Sequence, residues 1–449
     1  MTDASAVAAA ARRDYLAVAP PPSLLLWETP FWLALLYIAL LPGSLSPWWE
    51  WFDLPVRSAE GAVVLSAAFY AIPAILDRRH GFGFRASAAL LVPMLVALAY
   101  AFGSTFWVEL DADDLRAMRL TLIYASAAPL LAWGVVGGYS REDLYHFVWR
   151  LSAFLALVSV VYAAESILSL GLRSELGQNT LLDFGIERVR GPLFGSSTGY
   201  LVLLPALAFA IQHVIDVKSR RAAGLGMVLA LLVTMLGLGS RAALVLLSIY
   251  LVLLSFLIKS ARKRLLAVLL TVVFTAAAAG LVFSQANTDR LQNFEDDSRR
   301  ATHVTAARAV EEQPLSTTLR GAGYGAIWNW YLTDSRNGER LATGDNIIRT
   351  PFGPSLYHSH STFLEMAMEL GAVGAVAFAT MSFGFLSLVA RCWRRGVLQA
   401  FSCGLAATGL GLLFDLFLFK NTTVNLIWWL YAIAMSMLAR YEPEDTCGS

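Results

Sequence analysis

The stretch "YHSHSTFLEMAMELGAVG" (357–374) sets His358 and His360 two residues apart, immediately before a long apolar segment. An imidazole titrates near neutral pH, with an ordinary pKa of about 6.5, so its neutral form can take a proton from a sugar hydroxyl. Three cations recur at comparable places. Arg188 and Arg190, in "ERVRGPLFGSS", precede one apolar segment, and Arg241, in "GLGSRAALVLL", opens another. Helix N-termini present unpaired N–H groups and partial positive charge, which suit anions. Guanidinium groups beside them favour phosphate or diphosphate, because the planar fork holds two oxygens at once. A soluble anion would fit such a site; a lipid-linked diphosphate would also need an apolar slot beside it.

Each residue has a plainer reading as well. Arg188 and Arg190 read equally well as solvated loop charges. Arg241 is harder to set aside, because an arginine at a membrane boundary is costly and usually partnered. His358 and His360 lack a third ligand at matching spacing, the nearest preceding loop carboxylate being Asp345, so no metal site is expected. "TFLE" (362–365) fits a capping box in which Thr362 accepts from the backbone and Glu365 reaches back, so Glu365 is read as a cap. His303 reads as an ordinary helix-surface residue. Glu165 and Asp415 fall within apolar segments, where they either pair internally or line a water pocket. The aromatic run "WNWY" suits stacking on sugar rings or resting on lipid headgroups.

The elements that must position these groups are membrane spans. Of the 449 residues, 57% are hydrophobic and only 15% charged, and mean hydropathy is +0.58. Soluble domains carry about a quarter charged residues. A spanning helix needs about 20 mostly apolar residues, and such runs recur along the chain. They predict about twelve spans, beginning near Leu24, Ala59, Ala86, Leu115, Tyr145, Leu193, Ala222, Ser240, Leu265, Ser361, Val397 and Val424. The continuous apolar stretch 222–258 is divided in two on this reading. The fold class is therefore all-α: one polytopic membrane domain over 1–449, with a mostly helical cap.

Lys/Arg clusters mark every other short loop, as in "DRRHGFGFR", "DVKSRR" and "ARCWRR", while the intervening loops are acidic or mixed, as in "VELDADD". Basic loops stay in the cytoplasm, which puts both termini inside and the remaining loops outside. Two outer loops exceed ordinary length: a smaller one at 171–193, and a large one at 284–360 between spans nine and ten. Long loops that are not linkers are usually functional. Within the larger, "RRATHVTAARAVEEQ" has helical character and "GAGYGA" and "TPFGPS" read as turns. That cap contains eight Arg and no Lys. No internal repeat is evident, which argues against a two-fold transporter. The three cysteines, Cys392, Cys403 and Cys447, lie on the inner side or in the membrane on this map and supply no metal-spacing motif. No cleavable signal peptide is read at the N-terminus.

Four motifs in order resemble the bacterial O-antigen ligase and polymerase family. "HSTFLEMAMELGAVG" is similar to its His-Asn-x-x-Leu…Glu-x-Gly…Gly signature, and "RRATHVTAARAVEEQPLSTTLRGAGYG" to the Arg…Pro-Leu…Gly-x-Gly segment before it. "GSRAALVLL" resembles its Ser-Arg-Gly-Ala span opening, and "RVRGPLFGSSTGY" its Arg-x-x-Gly…Phe-Gly-Asn approach to a span. The resemblance covers roughly 188–374. It departs at Ser361, where the family usually has Asn, and at "GSST", which stands for a Gly-Asn-Pro-Asn type sequence.

The resemblance implies a metal-independent, inverting glycosyltransferase without cofactor, facing the periplasm from the inner membrane. On that reading His360 matches the family histidine, Arg241 the Ser-Arg arginine and Arg188 the loop arginine, with Arg190 beside it. Arg299 and His358 would support them. The implied partners are an undecaprenyl-diphosphate-linked glycan donor, a lipid A–core or glycan acceptor and membrane lipids, with no nucleic acid. The single dominant outer loop favours a ligase; a polymerase is the alternative within the family, and a transporter of lipid-linked glycans the alternative from another class.

Overall fold

The computed structural model describes residues 22–41, 48–51, 54–168, 181–182, 186–187, 189, 191, 193, 198–217, 220–238, 240–257, parts of 261–276, and 297–328, 347–356, 359–396, 398–413 and 415–441. Side chains are described at all of these except 48–57, 167–168, 181–187, 241, 297–299 and 347–349. The chain is an α-helical bundle, as the composition predicts. In order, it forms α1 (Pro22–Leu40), α2 (Ser58–Leu76), α3 (His80–Ser104), α4 (Ala112–Val136) and α5 (Arg141–Leu168). Then come α6 (Tyr200–Asp216), α7 (Arg221–Gly237), α8 (Arg241–Ser255), α9 (Asp297–Glu312) and α10 (Leu315–Arg320). The last are α11 (Thr362–Glu369), α12 (Gly371–Arg395), α13 (Gln399–Leu410), α14 (Phe417–Lys420) and α15 (Thr422–Tyr441). A 3-10 turn (Gly411–Leu413) and three small antiparallel ribbons complete the described elements; one ribbon ends in the strand Gly353–Leu356.

Among the described residues, seven helices, α1 to α5, α12 and α15, are long and apolar enough to cross a membrane; α6, α7, α8 and α13 are shorter apolar helices. The stretch 222–258 is divided into two helices, α7 and α8, at Ser240, which caps α8, its side chain accepting from the Ala243 N–H. The span predicted near Leu265 lies largely outside the described residues. The tenth span begins ten residues later than predicted, at Gly371, because the short α11 precedes it as a separate helix.

Capping chemistry sets the helix ends. Asp111 accepts from the Asp114 N–H at 2.8 Å, with Asp113 and Asp114 in the positive first turn of α4. Pro30, Pro73, Pro93, Pro129 and Pro205 lie within helices, which membrane bundles tolerate because neighbouring helices satisfy the freed carbonyls. Residues apolar on every side suit a helix buried all round, and α15 is that helix. It is enclosed by α2 to α6, α12 and α13. Asn425 on α15 donates to the carbonyls of Leu418 and Ala125 at 2.7 and 3.3 Å, and Ser152 meets the Tyr431 hydroxyl at 2.9 Å. The peripheral helices α1, α2 and α12 instead expose Leu, Ile, Val and Phe, as lipid-facing surfaces do.

A buried charge pair joins two of the spans. Glu28 on α1 is fully buried and meets the Arg150 guanidinium of α5 at 2.7 Å, while the Trp32 indole N–H donates to its other oxygen, also at 2.7 Å. Intramembrane charges persist where they are paired in this way. Removing one partner strands the other, at a cost of about 3–5 kcal/mol for a fully buried pair. The Arg150 side chain is 27% exposed, so Glu28→Ala should fall at or below the lower end of that range. Thermal unfolding in detergent checks this: Glu28→Ala should lower Tm clearly, and Glu28→Ala combined with Arg150→Met should recover part of the loss. Equal Tm values for all three proteins would show that the pair contributes nothing.

Candidate functional site

Of the sequence-predicted site residues, His360 is the one whose side chain is described, and it stands beside a set of interrupted helices at one end of the bundle. His360 leads into α11 in the left-handed backbone region, at φ +51°. A non-glycine residue there costs on the order of 1–3 kcal/mol and persists only where the surroundings hold it. Two serines do so. The Ser359 hydroxyl donates to the Ser361 carbonyl at 2.8 Å and accepts from the Ser361 N–H at 3.2 Å, closing a small ring across His360. The imidazole is half-buried.

The cap of α11 differs from the predicted box. Ser361, not Thr362, is the N-cap and accepts from the Leu364 N–H at 3.3 Å. Thr362 is the first helical residue; its N–H and hydroxyl both donate to the Asp415 carbonyl, at 3.1 and 2.7 Å. Asp415 is therefore not inside a continuous span. It sits half-buried in the break between α13 and α14, its backbone carbonyl bound to Thr362. Glu165 does lie within a span, on α5.

Glu365 does not reach back to the cap either. It is 1% exposed, and Glu369, one turn on, is 0% exposed. The Glu369 carboxylate accepts from three backbone N–H groups of the cap: Gly325 at 2.7 Å, Ile327 at 3.1 Å and Trp328 at 2.8 Å. The carbonyls of Met368 and Glu369 accept from Ala322 and Gly323 at 3.3 and 2.9 Å. Burial raises the Glu369 carboxyl above its ordinary range, against these three donors, which favour its charged form. Burial pushes Glu365 well above its range too, and the neighbouring Glu369 charge adds to the effect. Among the described residues no hydrogen-bond geometry forms at either Glu365 carboxyl oxygen, although Ser359 and Glu369 lie close enough to act on its charge.

The cap loop approaches this helix closely because glycines permit it. Gly321, Gly323 and Gly325 all have positive φ, and a Cβ at Gly321 or Gly371 would run into the other's backbone. The same loop is tied to the bundle elsewhere: the Tyr324 N–H donates to Ser104 Oγ at 2.9 Å, and the Tyr100 hydroxyl donates to the Arg320 carbonyl at 2.7 Å. A small apolar cluster of Ala306, Ala309, Ile327, Trp328 and Met368 seats α9 on α11. Trp328 is thus a core residue, its indole N–H donating to Ser355 Oγ at 2.9 Å, and not the stacking platform its run of aromatics suggests. Thr302 and Thr305 on α9 bind the strand leading toward His358, at the Leu356 N–H (3.0 Å) and the Pro354 carbonyl (2.7 Å). His303 is exposed on α9, as predicted.

Arg188, Arg190 and His358 lie outside the described residues, as do the side chains of Arg241 and Arg299. Their backbone neighbours are informative. Val189, between the two arginines, donates its N–H to the Gly237 carbonyl at 3.0 Å, and Gly237 ends α7 four residues before Arg241. Arg241 is the first residue of α8. Asn421, just after α14, donates to Thr198 Oγ1 at 3.2 Å, close to the start of α6. Arg299 lies on α9, one turn before Thr302. Sequence reasoning missed Glu369 as a binding group and Asp415 as a residue of this end. The alternating glycines of "RGAGYGA" were the available signal for a loop with free N–H groups.

Residues 225–379 match the family model described as O-antigen ligase. The matched stretch runs from α7 through the cap into α12 and contains Arg241, Arg299, His358 and His360. It supports the O-antigen ligase and polymerase family that the four motifs resemble, without separating ligase from polymerase. No curated protein matches the chain.

The raised Glu365 carboxyl makes stability depend on pH. A group whose pKa is higher folded than unfolded stabilises below its unfolded value, ordinarily 4.5 here, and loses that contribution as pH rises through the folded value. Wild-type Tm should therefore fall relative to Glu365→Gln, which carries no charge, as pH rises from about 5 to 8. Parallel Tm–pH curves for the two proteins would show that Glu365 does not titrate in this window.

Proposed function

We propose that this chain, whose 225–379 segment is of the O-antigen ligase and polymerase family, transfers a glycan from undecaprenyl diphosphate to a hydroxyl acceptor at the periplasmic face of the bacterial inner membrane. The observation that carries the reading is the strained His360, held by Ser359 and Ser361 where the cap meets the membrane helices. Strain of this kind clusters at functional sites. The start of α8 at Arg241 and the Val189–Gly237 contact support a shared cationic region with Arg188 and Arg190.

In the mechanism, neutral His360 takes the proton of the acceptor hydroxyl as its oxygen attacks the anomeric carbon of the donor sugar. The bond from that carbon to the diphosphate oxygen breaks, and its electron pair leaves with the diphosphate. Arg188, Arg190 and Arg241, with the helix N-termini, bind the diphosphate and stabilise the charge that grows on it. Attack opposite the leaving group inverts the anomeric configuration. Cleavage of the sugar–diphosphate bond drives transfer, so no cofactor is required, and the arginines take the role a metal ion would fill. Arg299 and His358 support the acceptor side. The lipid tail of the donor occupies apolar surface beside α6 and α8.

Within this chemistry we favour an O-antigen ligase with lipid A–core as acceptor, on the single dominant outer loop between spans nine and ten. Deleting the protein should then remove all capped lipid A–core and leave polymer on its lipid carrier; retention of one-unit capping would indicate a polymerase. Supplying donor already at the outer face separates an enzyme, which transfers glycan there, from a transporter, which does not.

His360→Ala should reduce transfer by about 10²–10⁴-fold with protein level and donor binding retained; full activity would remove the base assignment. Arg241→Lys tests forked recognition against bare charge, and a loss of about 10²–10³-fold in kcat is expected. Wild-type turnover in the lysine variant would contradict a bidentate role.

A further inference from the structure

His360 is carried by a helix too short to fix its own direction. α11 has eight residues, and it is separated from α12 by a break at Leu370 and Gly371, where φ is +58°. The spanning helix therefore does not extend to the imidazole as one rigid rod. Two ties set the direction of α11. At its N-terminal end, Thr362 is bound to the Asp415 carbonyl. At its C-terminal end, the cap loop 321–328 wraps around Glu369, five of its N–H groups directed at the carboxylate and at the last two carbonyls of the helix.

We infer that Glu369 is a positioning residue: its carboxylate latches the 321–328 loop onto the helix that presents His360, and so sets the imidazole against the acceptor. The inference rests on the transferase reading given above. A single buried carboxylate satisfies three amides that have no other described acceptor, so its removal leaves three buried donors without partners. The same loop is anchored to Ser104 and Tyr100 of α3. The latch thereby connects three parts of the molecule: the cap, the first half of the bundle and the helix of His360. Because transfer needs reacting atoms aligned to within about 1 Å, slack at Glu369 should be felt as lost turnover before it is felt as lost donor binding.

The test uses the full-length protein in lipid nanodiscs, as wild type, Glu369→Gln and Glu369→Ala. Glutamine keeps one carbonyl acceptor but turns an NH₂ toward a backbone donor, so it loosens the loop without emptying the site. Amide exchange followed by mass spectrometry should rise about tenfold over 321–328 in Glu369→Gln, a factor corresponding to about 1.4 kcal/mol, with the spanning helices unchanged. In the transfer assay kcat should fall about 10²-fold at unchanged donor KM, and Glu369→Ala should fall further. Unchanged exchange over 321–328 would overturn the latch. Faster exchange with wild-type kcat, or kcat and donor binding falling together with the folded fraction, would overturn the positioning role. Wild-type protein that transfers no glycan would sink the transferase reading and the positioning role with it, while the exchange measurement would still report whether the latch exists.

Discussion

In a bilayer the backbone has no water to bind, so a helix may be broken only where protein groups take up the freed N–H and C=O groups. This constraint organises the whole molecule. The interruption at 411–421 is satisfied by Thr362, which takes the Asp415 carbonyl, and by Asn425, which takes the Leu418 carbonyl. The approach to α6 is tied to the same interruption through Thr198 and Asn421. The C-terminal end of α3 gives Ser104 to the cap loop, and α11 gives Glu369. Each break supplies the partner another break needs, and the result is a single irregular layer at one end of the bundle. The opposite end is held by simpler contacts, such as Arg395 to the Ala439 carbonyl and the Tyr441 hydroxyl to the Tyr139 carbonyl.

The proposed transfer places its chemistry in that layer. Regular spans present side chains to lipid or to one another, whereas broken helices present N-termini, carbonyls and strained residues to a common space. His360 is held in a left-handed conformation there by the serines on either side of it. At Ser361, where the sequence departs from the family pattern, the hydroxyl caps α11 and the backbone closes the ring with Ser359. The buried pair Glu365 and Glu369 shows the same economy, one carboxylate gathering the cap amides while its neighbour is held toward the neutral form by burial.

Much of this architecture was legible in the sequence. Apolar run length marked the seven long helices α1 to α5, α12 and α15, and α8 begins after Ser240, where the sequence reading divided the stretch 222–258. The approach of Val189 to Gly237 was not legible, since a single backbone hydrogen bond between distant segments leaves no periodic signal. Asp415 was read as intramembrane because its flanks are apolar; the break there depends on Thr362, more than fifty residues away. Glu365 was read as a cap because local spacing fitted one, but the tertiary contact to the cap buried it and gave the cap to Ser361. Trp328 likewise looked like a surface aromatic until its packing against α9 and α11 was known. Local rules failed where a distant segment supplied the partner.

The proposed transfer requires Arg188, Arg190, Arg241 and His360 to share one pocket at this layer. An electron cryomicroscopy structure in nanodiscs, with a non-transferable undecaprenyl-diphosphate glycan bound, tests it most directly. The diphosphate should lie within hydrogen-bond distance of at least two of the Arg188, Arg190 and Arg241 guanidinium groups, with His360 facing the anomeric carbon from the opposite side. A diphosphate bound at the other end of the bundle, or cations that point away from it and from His360, would contradict the account.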